Sequence, residues 1–142
     1  MDWSYVAGFF DGEGNIHVIK SRNYKNGNNS FYIMIRIYQG DINVLEQIRA
    51  FMGYGKIYKY SNKSAAELTF NRKKDVKDFL MNIKDKVFVK KQQVEYVLNN
   101  YVFERGGNMS FDIDKFRESI SRRNVDKLRK HHTIFREKRL TD

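Results

Sequence analysis

Two periodicities divide this chain of 142 residues into helical and extended segments. From about Trp3 to Glu13 the apolar residues recur at helical spacing, and Asp2 before them is a favourable N-cap, so a helix is predicted. Gly8 and Gly12 share another face, because residues four apart are neighbours on a helix. The side chains expected to face the core are Trp3, Val6, Phe9 and Phe10.

A period of two begins after Gly14, which would allow a sharp exit from the helix, and it predicts β-strands. Ile16 and Val18 would face one way and His17 and Ile19 the other, up to a polar loop at 21–30. The clearest strand is "FYIMIRIYQ" at 31–39. Its inward residues would be Phe31, Ile33, Ile35 and Ile37, and its outward residues Tyr32, Met34, Arg36 and Tyr38.

The rest of the chain repeats this order. A second helix is predicted in "GDINVLEQIRAFMG", with Asp41 as N-cap and Gly53 as stop, and a second hairpin in "GKIYKYS" and "AAELTFN". Further helices follow in "KKDVKDFLMNIKDKV" and in "KKQQVEYVLNNYVFER", the latter ended by Gly106 and Gly107. The order αββαββα predicts an α+β fold with one four-stranded antiparallel sheet and helices on one face. We expect a single domain over 1–142, with its core at about 2–105 and a basic helical extension at 106–142.

The charge of the chain indicates what kind of partner it binds. The chain has 27 basic and 17 acidic residues, for a net charge of +10, and from Lys115 to Arg139 ten residues are basic and three acidic. A positive surface gains affinity for nucleic acid by releasing counterions from phosphates. The outward face of the predicted sheet is correspondingly basic and aromatic, although tyrosine and threonine are also common on any exposed sheet face. This face would carry His17, Tyr32, Arg36, Tyr38, Lys56, Tyr58 and Tyr60.

Composition excludes several classes of protein. The chain contains no cysteine, which excludes a disulfide framework, a thiolate metal site and a cysteine nucleophile. No apolar run is long enough to span a membrane, and no segment combines a basic face with a strongly apolar one. Without a recognisable signal peptide, we expect the protein to act where it is made, in an organelle or in a prokaryotic or phage-infected cytoplasm.

The segment "VAGFFDGEG", from Val6 to Gly14, resembles the motif of the LAGLIDADG homing endonucleases. Position by position, it keeps the alanine, the first glycine, two apolar residues, two acids and the closing glycine. Phenylalanine replaces leucine or isoleucine, Gly12 replaces alanine, and Glu13 replaces the aspartate that binds metal. The αββαββα order also matches, so the resemblance covers roughly residues 2–105. The competing interpretation is an ordinary glycine-capped helix end with a solvated acid.

The resemblance implies a catalytic site at the end of the first helix. Glu13, with the backbone carbonyl of Gly12, would bind Mg²⁺ or Mn²⁺, and the cation would activate water and stabilise the leaving oxygen. Gln39 stands where the family often keeps a polar residue that organises the attacking water. Lys90 stands where many members place a lysine near the scissile phosphate, with Lys91 as the alternative if the register differs by one. Asn43 falls where some relatives carry a basic residue.

A second subunit is also implied, because the chain contains one copy of the motif and such enzymes pair two of these helices. The pairing surface would consist of Ala7, Gly8, Asp11 and Gly12, with the small residues allowing close approach. We expect Asp11 to be structural, supporting the turn and the helix pair. A twofold protein favours a near-palindromic DNA target, read in the major groove by the outward sheet face. The implied DNA-contacting residues are His17, Ile19, Ser21, Arg22, Asn23, Lys25, Ser30, Tyr32, Met34, Arg36, Tyr38, Lys56, Tyr58, Tyr60, Glu67, Thr69, Asn71 and Lys91.

The expected reaction is a metal-dependent double-strand break with short 3′ overhangs, made by an intron-encoded endonuclease. The alternatives are an RNA-splicing maturase or a non-cleaving DNA-binding regulator on the same fold, and a basic RNA-binding structural protein. Host-intron RNA would be a further partner of a maturase. Retention of Glu13, Gln39 and Lys90 argues against pure binding, because binding alone has no use for an acid facing phosphates. His131 and His132 are adjacent on a predicted helix and point apart, so a metal site there is not expected.

Overall fold

The computed structural model describes residues 1–22, 29–61 and 64–120. The described part of residues 1–111 contains four helices: α1 (Trp3–Glu13), α2 (Ile42–Met52), α3 (Lys73–Ile83) and α4 (Lys91–Asn100). Four strands form one antiparallel sheet: β1 (Gly14–Arg22), β2 (Asn29–Gln39), β3 (Lys56–Lys59) and β4 (Ala66–Phe70). The α+β class and the four-stranded antiparallel sheet predicted from the sequence are confirmed. No helix in the described ranges has the length and apolar character needed to cross a membrane.

The sheet order is β1-β2-β4-β3, so β4 lies between β2 and β3. Ile16 lies opposite Ile35 and Leu68 opposite Ile37, so all four side chains share the inward face and are buried. The predicted alternation of β2 is therefore confirmed. Helices cover this face through an aromatic cluster, in which the Phe79 ring of α3 lies 5.0 Å from that of Phe10 and 5.1 Å from that of Phe70.

Helix α1 begins as predicted, because the Asp2 carboxylate accepts a hydrogen bond from the Tyr5 amide at 2.8 Å. Its buried residues are Val6, Ala7 and Phe10. The expectation that Phe9 faces the core is wrong: Phe9 is half-buried and its ring stacks against exposed Tyr5 at 6.0 Å. Phe9 therefore lies at the margin of the core, whereas Ala7 is fully buried.

Helix α4 ends at Asn100, five residues earlier than predicted. Beyond it, the Val102 amide donates to the side-chain oxygen of Asn108 at 2.7 Å, and the Asn108 side-chain nitrogen donates to the Val102 carbonyl at 3.1 Å. The buried Asn108 thus replaces the helical hydrogen bonds that would extend α4. The described chain divides after Phe111, and residues 113–120 of the second unit are helical.

Candidate active site and sheet surface

The end of helix α1 presents an acid directly before the sheet begins. Gly12 and Glu13 are both exposed, and the Gly14 amide closes the helix by donating to the Phe10 carbonyl. Gly14 then lies opposite Ile37 in the sheet, and Gln39 follows Ile37 by two residues on β2. The fold therefore brings two of the predicted catalytic positions, Glu13 and Gln39, to the same end of the sheet.

Lys90 is brought to this end of the molecule by Asp11. The Asp11 carboxylate accepts hydrogen bonds from the backbone amides of Phe88, Val89 and Lys90 at 2.8, 3.0 and 2.9 Å. In return the Lys90 ammonium donates to the Asp11 carbonyl oxygen at 2.8 Å. The two residues are 79 positions apart in sequence, so this contact joins the exit of α1 to the turn before α4. Lys91 is exposed as the first residue of α4, and the assignment of Lys90 over Lys91 stays a prediction.

The environment of Asp11 favours its ionised form. Burial by itself would raise the pKa of Asp11, but the three amide donors and the charge of Lys90 outweigh it and lower the pKa below the ordinary value. The structural role expected for Asp11 is therefore carried by contacts within one chain: it caps the turn that precedes α4 and fixes Lys90 beside α1.

Replacing Asp11 with Asn is expected to lower the free energy of unfolding by about 2 kcal/mol, because a neutral amide oxygen cannot replace a carboxylate that accepts three amide hydrogen bonds. A carboxyl group whose pKa is depressed in the folded state stabilises the fold above its unfolded pKa of about 3.9, and that contribution is lost as the pH falls through the folded value. Urea titrations between pH 3 and pH 7 should therefore show the difference between wild type and variant shrinking below about pH 4. The exposed Asp85→Asn is the matched control, and an equal effect there would contradict this role for Asp11.

The predicted pairing surface of α1 separates into two parts. Ala7 has no exposed surface, because it packs inside its own chain, so it is not available to a second subunit as expected. Gly8 and Gly12 are exposed, and a methyl group added to either one would meet no atom within 4 Å. Nothing within the described part of the chain therefore requires a glycine at these two helical positions.

Oxygen atoms make up the donor set at the end of α1. The carboxylate of Glu13 is joined by the Gly12 carbonyl, which is among the last carbonyls of the helix that lack an intrahelical partner. Oxygen donors suit a hard divalent cation such as Mg²⁺, which is surrounded by an octahedron of ligands. Within residues 1–22, 29–61 and 64–120, no three His, Cys, Asp or Glu side chains come together to hold a metal. The donors of one chain thus fit part of a divalent-cation site, which other groups must complete.

The outward face of the sheet carries the predicted basic and aromatic side chains. His17 lies opposite Met34, Ile19 opposite Tyr32, and Lys56 opposite Thr69. The Lys56 ammonium lies 6.0 Å from the centre of the Tyr58 ring, and both residues are exposed. Exposed or half-exposed positions on and around this face include His17, Ile19, Ser21, Tyr32, Met34, Arg36, Tyr38, Lys56, Tyr58, Tyr60 and Asn71.

Two residues predicted to contact DNA are buried in this face. Glu67 is 4% exposed and Thr69 is 8% exposed, because β4 is a central strand flanked by the long side chains of β2 and β3. The Glu67 carboxylate forms an ion pair with Arg36, and the hydroxyl of Tyr60 donates to the same carboxylate. The prediction that Glu67 and Thr69 are open to DNA is therefore wrong, since neighbouring side chains cover both.

Asn15 belongs to this face and was missed by the sequence analysis. It lies opposite Arg36 in the sheet and is exposed, two residues from Glu13. The alternation that marks His17 and Ile19 would have identified it if extended back by one step. The half-buried Ser30 accepts a hydrogen bond from the Asn108 amide through its hydroxyl at 3.2 Å, and its contact with DNA stays a prediction. Asn23, Lys25, His131, His132 and the side chain of Arg22 lie outside the described part of the chain.

Residues 6–103 match the sequence profile of the LAGLIDADG endonucleases. The chain belongs to this family. A curated relative, the probable intron-encoded endonuclease 3 of Neurospora crassa, is 36% identical over 83 residues. That alignment covers 57% of this chain and 16% of the relative, so the chain spans about a sixth of that protein's length.

Solved structures of homing endonucleases share the fold of this LAGLIDADG protein. I-TnaI is 30% identical and superposes with a TM-score of 0.60, covering 70% of this chain and 71% of its own. I-CvuI, crystallised with a DNA target in the presence of Ca, is 19% identical with a TM-score of 0.61 and matches the fold, covering 68% and 63% of the two chains. The family and the homing-endonuclease fold inferred from the motif are confirmed by these matches.

Proposed function

We propose that this chain is a site-specific, intron-encoded DNA endonuclease that makes a metal-dependent double-strand break and leaves short 3′ overhangs. The observation that carries the proposal is the exit of α1. There an exposed acid, Glu13, follows the open Gly8 and Gly12 positions, and Asp11 holds Lys90 at the same end. A purely structural helix end would need neither the exposed acid nor the tethered lysine.

The chemistry assigned to these residues follows from their donor and acceptor groups. Glu13 and the Gly12 carbonyl would hold Mg²⁺ or Mn²⁺, which supplies activated water and neutralises charge on the leaving oxygen when bound. The Gln39 side-chain oxygen accepts from the Gly40 amide at 2.7 Å, which leaves its amide N–H groups to orient the attacking water. The Lys90 ammonium would stabilise negative charge on the phosphate.

The proposed active form is a homodimer, paired through the exposed face of α1. A glycine in the helix interior costs about 1 kcal/mol relative to alanine. Gly8 weakens α1 in this way although a methyl group added at that position would contact no neighbouring atom of the described chain. Close packing of a second α1 would explain it, because small residues at the contact let two helix backbones approach closely, and glycine allows the closest approach. Two chains would then place their Glu13 residues side by side and double the number of oxygen donors.

Replacing Gly8 with Leu is expected to leave the isolated chain folded and to shift it from dimer to monomer by at least about tenfold in dimer dissociation constant. A leucine at this site has open space in its own chain but would collide with an opposing helix. Sedimentation equilibrium with and without DNA measures the change. Gln47→Leu, at an exposed position on α2 rather than on α1, is the matched control for an added surface leucine. A wild type that stays monomeric on DNA would contradict the shared active site.

The dimer would present two sheet faces to DNA, one for each half of a near-palindromic target. The exposed Lys56 and His17, together with the net charge of +10, would supply phosphate affinity and major-groove contacts. The DNA-bound crystal structures of I-CvuI and I-SmaMI support this assignment for the shared fold.

Purified protein should be incubated with a randomised library of long DNA duplexes and Mg²⁺, and the cut ends sequenced. We expect enrichment of one long, near-palindromic site, with cuts on both strands offset to leave 3′ overhangs. Parallel reactions with Ca²⁺ or EDTA test the requirement for a catalytic cation. Specific binding without cleavage of any duplex would contradict the nuclease and favour a DNA-binding regulator, whereas binding confined to RNA would favour a maturase.

A further inference from the structure

A three-residue network lies in the middle of the outward sheet face. The Arg36 Nε donates to Glu67 Oε1 at 2.5 Å, and the Arg36 Nη2 donates to Glu67 Oε2 at 3.2 Å. The hydroxyl of Tyr60 donates to the same Oε2. We call Arg36, Glu67 and Tyr60 the central network. Arg36 lies on β2, Glu67 lies on β4 and Tyr60 directly follows β3. The central network therefore extends across the middle of the proposed DNA-reading surface.

The two contacts use one particular edge of the guanidinium group. Nε–H and one Nη2–H point sideways from the arginine stem, and both are taken by the Glu67 carboxylate. The remaining donors, on Nη1 and the second hydrogen of Nη2, form the end of the fork. Two parallel N–H donors of this kind can bind the O6 and N7 atoms of guanine in the major groove. The pairing with Glu67 therefore orients Arg36 without consuming its base-reading edge.

The surroundings of Glu67 hold its carboxylate, and with it the Arg36 side chain, in a fixed position. Glu67 is 4% exposed whereas the Arg36 side chain is 27% exposed, so the carboxylate is covered and the guanidinium still reaches the surface. Both carboxylate oxygens accept hydrogen bonds, which satisfies the buried charge. The centre of the Tyr38 ring lies 5.4 Å from the guanidinium carbon of Arg36. These contacts restrict Arg36 to one orientation, and such preorganisation lowers the entropy lost on binding.

We propose that Glu67, supported by Tyr60, is a positioning residue that fixes Arg36 to read one guanine in each half of the DNA target. The proposal rests on the proposed DNA-binding function and adds a named base and a named residue to it. Glu67 is too well covered to read a cytosine amino group itself, because its two oxygens are occupied and its surface is nearly closed.

The proposal is tested by selecting the DNA duplexes that the protein binds from a randomised pool. The selection is carried out in Ca²⁺, so that cleavage is not required. Wild type is expected to prefer guanine by about 10- to 100-fold at one symmetry-related pair of positions. Glu67→Gln keeps the shape of the side chain and removes its charge, and should reduce that preference to about threefold while leaving all other positions unchanged. Arg36→Lys keeps the charge of Arg36 but loses the fork, so it should abolish the same preference.

Tyr60→Phe is the matched control, because it removes one hydrogen bond to the carboxylate and leaves the ion pair intact. It should weaken the guanine preference less than Glu67→Gln does. A salt titration separates base reading from phosphate contact, since a lost phosphate contact lowers the slope of log affinity against log salt by about 1 in every sequence. Glu67→Gln should leave this slope unchanged.

Several outcomes would overturn the proposal. One is a uniform loss of affinity in Glu67→Gln with the guanine preference intact, because Glu67 would then only support the fold. Another is a cytosine preference that survives Arg36→Lys, because Glu67 would then read the base itself. A wild type that enriches a sequence but never cuts it would contradict the proposed nuclease and still allow the network to be judged. A wild type that enriches no DNA sequence would overturn both proposals.

Discussion

Replacing Glu13 with Gln is expected to reduce DNA cleavage by at least about 10³-fold while changing target affinity by no more than about twofold. Glutamine matches the shape of glutamate but lacks the charge that a divalent cation needs from a ligand. Glu13 is exposed at the end of α1, so the substitution removes no buried contact. The fold, the helix pairing and the sheet surface should therefore be unaffected.

Single-turnover cleavage on the selected target, together with gel-shift titration in Ca²⁺, would separate these two effects. Glu46→Gln, at an exposed acid within α2, serves as the control for a lost surface charge and should cut at the wild-type rate. Because the proposed cation site depends on the Glu13 carboxylate, raising the Mg²⁺ concentration should recover little activity. If Glu13→Gln cuts the target as fast as wild type does, the assignment of the active site to this end of α1 is wrong.

Replacing Gly14 with Ala is expected to destabilise the fold by about 3 kcal/mol or to prevent folding. The backbone of Gly14 has a φ of −99°, which any residue can adopt, so backbone strain is not the reason. An added methyl group would lie 2.0 Å from a carbon of the Phe10 ring. That ring cannot move aside easily, since Phe10 has no exposed surface and packs edge-on against Phe79.

Two further variants make this prediction specific. Gly12→Ala adds a methyl group to the same motif in open space, so the single chain should keep or slightly raise its stability. Phe10→Leu alone is expected to be destabilising, but when it is combined with Gly14→Ala it should recover part of the loss by removing the colliding ring atoms. The free energy of unfolding should be measured by chemical denaturation for four proteins. These are wild type, Phe10→Leu, Gly14→Ala and the double variant, which together form a double-mutant cycle. Additive effects of the two changes would show that the two side chains do not collide.

The sequence predicted the elements well because hydrophobic spacing records which face of each segment is buried. Helix α1 and the alternation of β2 are examples, since each depends on residues within one turn or one strand. The reason for Gly14 was predicted incorrectly as a sharp exit, because its requirement comes from the volume of Phe10 rather than from backbone conformation. Local spacing cannot reveal such a collision.

The remaining differences between the sequence-based predictions and the structure arise from contacts between segments that are distant in sequence. Hairpin patterns do not reveal that β4 lies between β2 and β3, and this placement covers Glu67. The end of α4 depends on Asn108, which lies beyond the helix. The hydrogen bonds from the amides of 88–90 to Asp11 cross 77 to 79 positions and have no periodic signature. At the candidate site the motif predicted Glu13, whereas the hydrogen bonds that hold Lys90 could be found only in three dimensions.

Under the proposed pairing, the open glycines of α1 would also make the stability of the protein depend on its concentration. Gly8 weakens the helix of an isolated chain, and under the proposed pairing the lost stability is recovered only after a partner binds. Stability that comes from association rises with protein concentration. A chain present at low copy number would unfold more often and be degraded faster than one present in excess. For the proposed endonuclease, this dependence would act as a dosage threshold, because unpaired subunits would be degraded before they accumulate.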